Sequence, residues 1–393
     1  MDAAPCRRLI PVWMLGLMAV ILVSLPATAD NAMVYSPLPP QPAGVAWPVP
    51  DWQRSALPVD ADSDAIQALA DQLMDAGGVD SLGRTQVLLV VQRGRIVLER
   101  YADTFGCDKI THSMSVAKML GSVLAAKMVE EGALDLHAPA DIDAWHRDPS
   151  DPRSRITPAH ILRMTAGQEW NELFDFIELA FGDGYADLAT YAIEQPAAYE
   201  PGSHYQYSDG APGLISYLLR KQHGWGPDEM ALYLRSQVFE PLHMQQTEAE
   251  FDALGTWYGS SGVRWSPCDL ARFSLMLLRD GTWLGEPFLP AGWVNDMRTP
   301  SAASLDPDAE VRRVYGAGYG YTSFVYDMRD EAPLSVDAFG HLGFGGHVLR
   351  IVPSKDVIVM LLGAQAFDAA HLARMAAAKA ISDAFPDVNG SGN

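Results

Sequence analysis

Basic side chains are scarce in this sequence. Lysine and arginine number 28 against 49 aspartates and glutamates, a formal charge of −21. Such a surface repels polyphosphate, so no nucleic acid and no anionic membrane face is expected as a partner. Cysteine is scarcer still, at three in 393 residues. Only Cys107 and Cys268 lie beyond the leading segment, and without a histidine cluster they make no zinc site. The ten histidines are scattered, with no His-Glu-x-x-His pair. A Walker loop and a dinucleotide fingerprint are missing as well. Neither a metal nor a cofactor is implied. An α/β-hydrolase would need a Gly-x-Ser-x-Gly elbow after a strand. Gly259-Ser260-Ser261-Gly262 comes nearest but has the wrong spacing. No internal repeat is visible.

What is present begins with a leader. Arg7 and Arg8 precede an apolar run from Leu9 to Leu25, and Ala27-Thr28-Ala29 supplies small residues before Asp30. This is the three-part pattern of a secretory signal over residues 1–29, and it predicts a periplasmic or extracellular protein. The run is also about as long as a short membrane helix. An uncleaved inner-membrane anchor is therefore the alternative, and the one membrane contact expected. Cleavage after Ala29 removes one acidic and two basic residues, leaving 364 residues with a formal charge of −22. Export permits a Cys107–Cys268 disulfide, but spacing does not decide whether it forms.

Residues 30–60, rich in Pro, Ala and Val, predict an extended segment ahead of one domain over 61–390. Ile66, Leu69, Leu73 and Met74 carry helical spacing from Ser63 to Ala76. Gln86–Val91 reads as a buried strand, Arg93-Gly94 as a turn and Arg95–Tyr101 as its hairpin partner. The region from about 130 to 300 looks mainly helical, with Thr157-Pro158 and Ser266-Pro267 as helix starts. From Tyr315 onward the texture changes to strands: Tyr319–Tyr326, Val336–His341, Val348–Val352 and Val357–Leu362. A last helix, Ala366 to Phe385, follows. Strands at 85–101 and 315–362 around a helical lobe suggest one sheet assembled from both ends, an α+β fold.

Three stretches carry chemistry. Ser115-Val116-Ala117-Lys118 opens an apolar segment reaching Val129. On a helix, Ser115, Lys118 and Ser122 share one polar line among residues expected to be buried. Burial disfavours an ammonium, and a neutral lysine beside a serine can take its proton. Tyr205-Gln206-Tyr207-Ser208-Asp209-Gly210 lies between turn formers, so its side chains are presented from a loop. Phe339 to His347 holds four glycines between two strands, which lets another backbone or a ligand come close. Each has a plain structural reading: a surface serine with a snorkelling lysine, an aromatic loop, and a glycine hairpin with a structural histidine.

Together, in this order, the three resemble the serine β-lactamase and penicillin-recognising family, especially its class C and esterase-like branch. Ser115-x-x-Lys118 matches that family's Ser-x-x-Lys. Tyr207-Ser208-Asp209 matches its Tyr-x-Asn, and His341-Leu342-Gly343 its Lys-Thr-Gly or His-x-Gly. Leu162 to Gly167 and Asp269 to Phe273 also look like family stretches, so the resemblance spans about residues 60–385. It implies the β-lactamase/transpeptidase-like architecture: an antiparallel sheet flanked by helices, a helical lobe beside it, and the site between.

The resemblance also implies roles. Ser115 is the nucleophile that forms an acyl-enzyme, activated by Lys118 and Tyr207. The backbone N–H groups of Ser115 and Phe344 bind the oxyanion. Asp209, His341 and Gly343 border the substrate, a structural His341 being the alternative. Two departures bear on substrate. A histidine, mostly neutral at pH 7, stands where lysine can hold a carboxylate. An aspartate, which accepts but does not donate, stands where asparagine is usual. Both disfavour a β-lactam and favour a small ester or linear amide, as in the family's esterases and aminohexanoate-oligomer hydrolases. The alternatives are a true β-lactamase or D,D-peptidase, and a non-catalytic penicillin-binding sensor. Oligomeric state is not legible.

Overall fold

Runs of β-branched and aliphatic residues at both ends of the chain meet in one sheet. The computed structural model describes residues 33–41, 47–75, 84–182, 186–328, 335–363 and 369–388. The leader at 1–29 lies outside them. Helix α1, Ser63–Met74, is capped by Asp62, whose side chain accepts from the Ala65 N–H at 3.0 Å. It is followed by β1, Thr85–Gln92, and β2, Arg95–Tyr101. Helix α2 is Lys118–Glu130, α3 is Ala211–His223, α4 is Pro267–Leu278 and α5 is Glu310–Tyr315. Then come β3, Gly318–Tyr319, β4, Phe324–Val325, β5, Phe339–Gly343, β6, His347–Val352, and β7, Val357–Gly363. Helix α6, Ala369–Asp383, follows.

The seven strands form a sheet in the order β2-β1-β7-β6-β5-β4-β3, each pair antiparallel. The C-terminal β7 lies between the N-terminal β1 and β6, so the sheet is assembled from both ends, as expected. Val87 to Val91 and Val357 to Leu361 are wholly buried. Such unbroken apolar runs belong to strands covered on both faces. Helices α1 and α6 pack together on one face, and α4 on the other. Fully burying one such Val, Leu or Ile side chain contributes roughly 1.5–3 kcal/mol. The segment at 47–55 reaches β2 through a bridge between Arg54 and Ile96. Its Ser55 N–H donates to the Ile96 carbonyl at 3.0 Å and covers the β2 edge. Arg272 of α4 donates to the Pro48 and Pro50 carbonyls at 3.2 and 3.1 Å.

Several expected signals are realised. Thr157 caps Pro158–Leu162, and Ser266 caps α4 by accepting from the Asp269 N–H at 3.1 Å. Cys107 and Cys268, whose pairing the sequence left open, form a disulfide with Cα atoms 5.0 Å apart. It joins the connector before Ser115 to the first turn of α4. Other expectations are corrected. Tyr319–Tyr326 is a tight hairpin, β3 and β4, because Thr322 turns the chain at φ 47°. Val336–His341 is interrupted: Ser335–Val336 pairs with Val34–Tyr35 outside the main sheet, and β5 starts at Phe339. Helix α5 was not expected, and helix Glu172–Phe181 falls in the region expected to be mainly helical. The middle of the chain also holds a three-stranded sheet built from Thr111–His112, Thr247–Ala249 and Val263–Trp265. Among the described residues no helix is long and apolar enough to cross a membrane.

Candidate active site

The turn that presents Ser115 is set by the residue before it. Met114 is left-handed at φ 50°, a conformation uncommon outside glycine. It leads the chain into a 3₁₀ turn, Met114–Ala117, that runs straight into α2. Ser113 Oγ accepts from Trp265 Nε1 at 2.8 Å and ties this turn to a buried strand. Ser115 thus stands in a first helical turn, where backbone N–H groups have no helical acceptor.

Lys118 is fully buried. Its Nζ donates to Ser115 Oγ at 2.9 Å, to the Ser260 carbonyl at 3.2 Å and to the Asp209 carboxylate. An ammonium has three donors and no acceptor, and three acceptors surround it here. In place of the isolated buried amine expected from the sequence, Lys118 forms a buried ion pair with Asp209. The Gly259–Gly262 stretch, rejected as a nucleophile elbow, serves here through the Ser260 carbonyl. Gly259 is required for it, since a Cβ there would lie 2.7 Å from Pro212. Ser122, expected on the same polar line, is buried apart and accepts from Trp293 Nε1 at 3.0 Å.

Tyr207 and Asp209 are held on either side of Ser208. Ser208 Oγ accepts from the N–H groups of Gly210 and Ala211 at 3.1 and 3.2 Å, a local turn that starts α3. The Gln206 N–H donates to the Met164 carbonyl at 2.9 Å, pinning the loop to the Leu162–Gly167 stretch. The Tyr207 ring centroid then lies 4.6 Å from Lys118 Nζ. That is within cation–π range.

On the opposite wall, β5 reaches the Ser115 turn only because residue 343 is glycine. A Cβ at Gly343 would run into the Ser113 carbonyl. Ser115, Tyr207, Gly343 and Phe344 together line a cavity of about 210 Å³. Asp209 and His341 do not line it. Asp209 sits behind Lys118, its charge engaged by the ammonium. His341 is fully buried, with Nδ1 2.6 Å from the Leu342 carbonyl and Nε2 3.2 Å from the Tyr319 hydroxyl. Burial, reinforced by the Lys118 charge, pushes the His341 pKa down to about 3, against the Leu342 hydrogen bond. The expectation that these two residues border the substrate is corrected on this geometry: both support the wall from behind. Tyr205, from the same loop as Tyr207, lines it too, and residues not singled out in the sequence complete the lining, among them Glu310, Tyr315, Phe324 and His371. These come from α5, β4 and α6, and no local pattern in the sequence joins them.

Known proteins place this arrangement. The β-lactamase family model matches residues 66–382. No curated protein matches the chain. Among solved structures, a Bacillus anthracis protein assigned as a 6-aminohexanoate-dimer hydrolase superposes with a TM-score of 0.66 at 18% identity. The match covers 85% of this chain and 88% of that one. A penicillin-binding protein homologue from Caulobacter crescentus gives 0.59 at 17% identity, covering 83% and 99%. The D-alanine carboxypeptidase from Burkholderia cenocepacia gives 0.56 at 18%, covering 82% and 98%. At these identities the structures show a shared fold. The family match over most of the chain, on a sheet and site of this construction, establishes that the protein belongs to the β-lactamase family of serine hydrolases.

Proposed function

We propose that this protein is an exported serine hydrolase that cleaves small esters or linear amides through an acyl-enzyme at Ser115. The observation that carries the reading is Ser115 Oγ held 2.9 Å from Lys118 Nζ, with the Tyr207 ring 4.6 Å from the same ammonium and with Ser115 and Tyr207 both on the wall of an open cavity. Tyr207, as phenolate, takes the Ser115 proton. Ser115 Oγ bonds to the substrate carbonyl carbon, and the π electrons move to the oxygen. The N–H groups of Ser115 and Phe344 receive that oxyanion. When the intermediate collapses, the leaving alcohol or amine departs with the proton from Tyr207. Water, deprotonated by Tyr207, then adds through its oxygen to the acyl carbon, the bond from that carbon to Ser115 Oγ breaks, and Tyr207 returns the proton to Ser115 Oγ as the acid leaves. Lys118, tied to Asp209, stays a fixed charge that holds Ser115 and Tyr207 in place.

Two features favour an ester or linear amide over a β-lactam. Among the described residues, no lysine or arginine lines the cavity, so a substrate carboxylate meets no cationic partner there. The Lys118 charge behind the wall is offset by Asp209. The leader and the Cys107–Cys268 disulfide support an oxidising, exported location.

The test is a side-by-side rate comparison of a short-chain nitrophenyl ester and a chromogenic cephalosporin, with Ser115→Ala as the blank. Ester turnover far above cephalosporin turnover, abolished in Ser115→Ala, is expected. Dominant cephalosporin turnover would move the assignment to β-lactamase or D,D-peptidase. No acylation of Ser115 by any probe would leave a binding protein. Tyr207→Phe should lose at least about two orders of magnitude in kcat, as removal of a proton-transfer group does.

A further inference from the structure

We propose that His371 is a positioning residue that sets the oxyanion hole by holding the Gly343–Phe344 peptide from its carbonyl side. This rests on the reading of Ser115 as the nucleophile and of the Phe344 N–H as an oxyanion donor.

His371 Nε2 lies 2.7 Å from the Gly343 carbonyl oxygen. A carbonyl only accepts, so Nε2 carries the hydrogen and donates it. The bond is made inside the site: His371 is 7% exposed and lines the same cavity as Ser115 and Phe344. The Gly343 carbonyl and the Phe344 N–H belong to one planar peptide and point in opposite directions. Fixing the oxygen fixes the direction of the N–H. A hydrogen bond accepted at the oxygen also polarises the unit and strengthens the N–H as a donor.

The peptide needs such a hold. It opens a turn in which Gly345 and Gly346 have φ of 93° and 82°, and glycine on this scale resists peptide rotation poorly. The hold comes from one helix face. Three residues beyond His371 on α6, Arg374 donates to the Gly346 carbonyl and, at 2.8 Å, to Thr85 Oγ1. Residues three apart share a helix face, so α6 grips both ends of the glycine turn and anchors it to β1. Packed against β6 and β7, α6 is a rigid base for that grip.

The experiment compares His371→Ala with His371→Gln, whose amide can still donate. Three readouts are needed: ester kinetics, affinity for a boronic acid transition-state analogue, and a crystal structure of each variant. His371→Ala should lose about 10²-fold in kcat, the scale of losing an oxyanion donor, with KM little changed. Boronate affinity should fall in step with kcat/KM, and His371→Gln should recover at least about tenfold. The crystal structure of His371→Ala should show the Gly343–Phe344 peptide rotated. Near-wild-type kcat in His371→Ala overturns the proposal. So does a loss that His371→Gln does not recover and boronate affinity does not follow. The structural readout separates the two readings if the wild type turns over no ester. A rotated peptide would then keep the positioning role and reject the hydrolase reading, and an unmoved peptide would reject the positioning role.

Discussion

At the residue scale, the position that most alters the chemistry is Asp209. It gives Lys118 a carboxylate partner where both side chains are almost fully buried. Removing one member of such a pair leaves an uncompensated charge, typically about 3–5 kcal/mol. Asp209→Ala should therefore unfold at clearly lower denaturant, whereas Asp209→Asn keeps an acceptor oxygen and should fold. Asp209→Asn also adds one net positive charge behind the cavity wall. We expect the ratio of cephalosporin to neutral-ester turnover to rise, by up to about tenfold for a charge acting across a partly polar wall. An unchanged ratio would show that the ion pair does not govern carboxylate rejection. Ser115, Lys118 and Tyr207, which the structure brings together, were legible as a group because their residue types and order match the family's stretches. Asp209 and His341 were legible as motif members but not as contacts. Their burial goes with partners distant in sequence, Lys118 for Asp209 and the Tyr319 hydroxyl for His341, which no local pattern announces.

At the element scale, the site is a seam between the first turn of the Ser115 segment and the end of β5. The seam closes because Gly343 has no side chain to meet the Ser113 carbonyl. Gly343→Ala must push β5 and the Ser115 turn apart, displacing the Phe344 N–H from the position an oxyanion would take. We expect kcat to fall by about 10² or more, as for a lost oxyanion donor, with the fold retained. Kinetics together with a thermal melt would check this, and a fully active Gly343→Ala would show that the seam has slack. Elements with strong periodicity or caps, such as α1, β1, α4 and β7, were legible. The β3–β4 hairpin was read as one strand because its apolar residues continue across Thr322, and only the backbone reversal at that residue divides them. Helix α5 was missed because its six residues give little period to count. With it went Glu310 and Tyr315, and thus one wall of the cavity.

At the scale of the whole molecule, the two histidines that flank the glycine turn are buried as neutral rings. His341 and His347 both have pKa values pushed down to about 3, by burial first, then by the charges of Lys118 and Arg374 respectively. In the unfolded chain a histidine titrates near ~6.5. Between these values the unfolded state binds the proton and the folded state does not. Stability is therefore full above pH ~6.5 and is lost as pH falls toward 3, by about 1.4 kcal/mol per pH unit for each histidine. Buried carboxyls act in the opposite sense. Burial raises Asp269, Asp280, Asp296 and Asp356, so protonating them on acidification favours the folded state. Because unfolded aspartates titrate near ~4, this compensation is complete once the pH is below that value. The histidine loss sets in as the pH falls below about 6.5. Urea unfolding below that pH measures it, and His347→Gln isolates one share. His347 Nδ1 accepts the Gly363 N–H at 3.2 Å. The amide oxygen that His347→Gln introduces can still accept it, so the turn keeps its contact while the titrating group is gone. The variant's stability should fall less steeply with acidification, by about 1.4 kcal/mol per pH unit. Equal slopes would mean that His347 is protonated in the folded protein, and the glycine turn would then have to accommodate a charge beside Arg374.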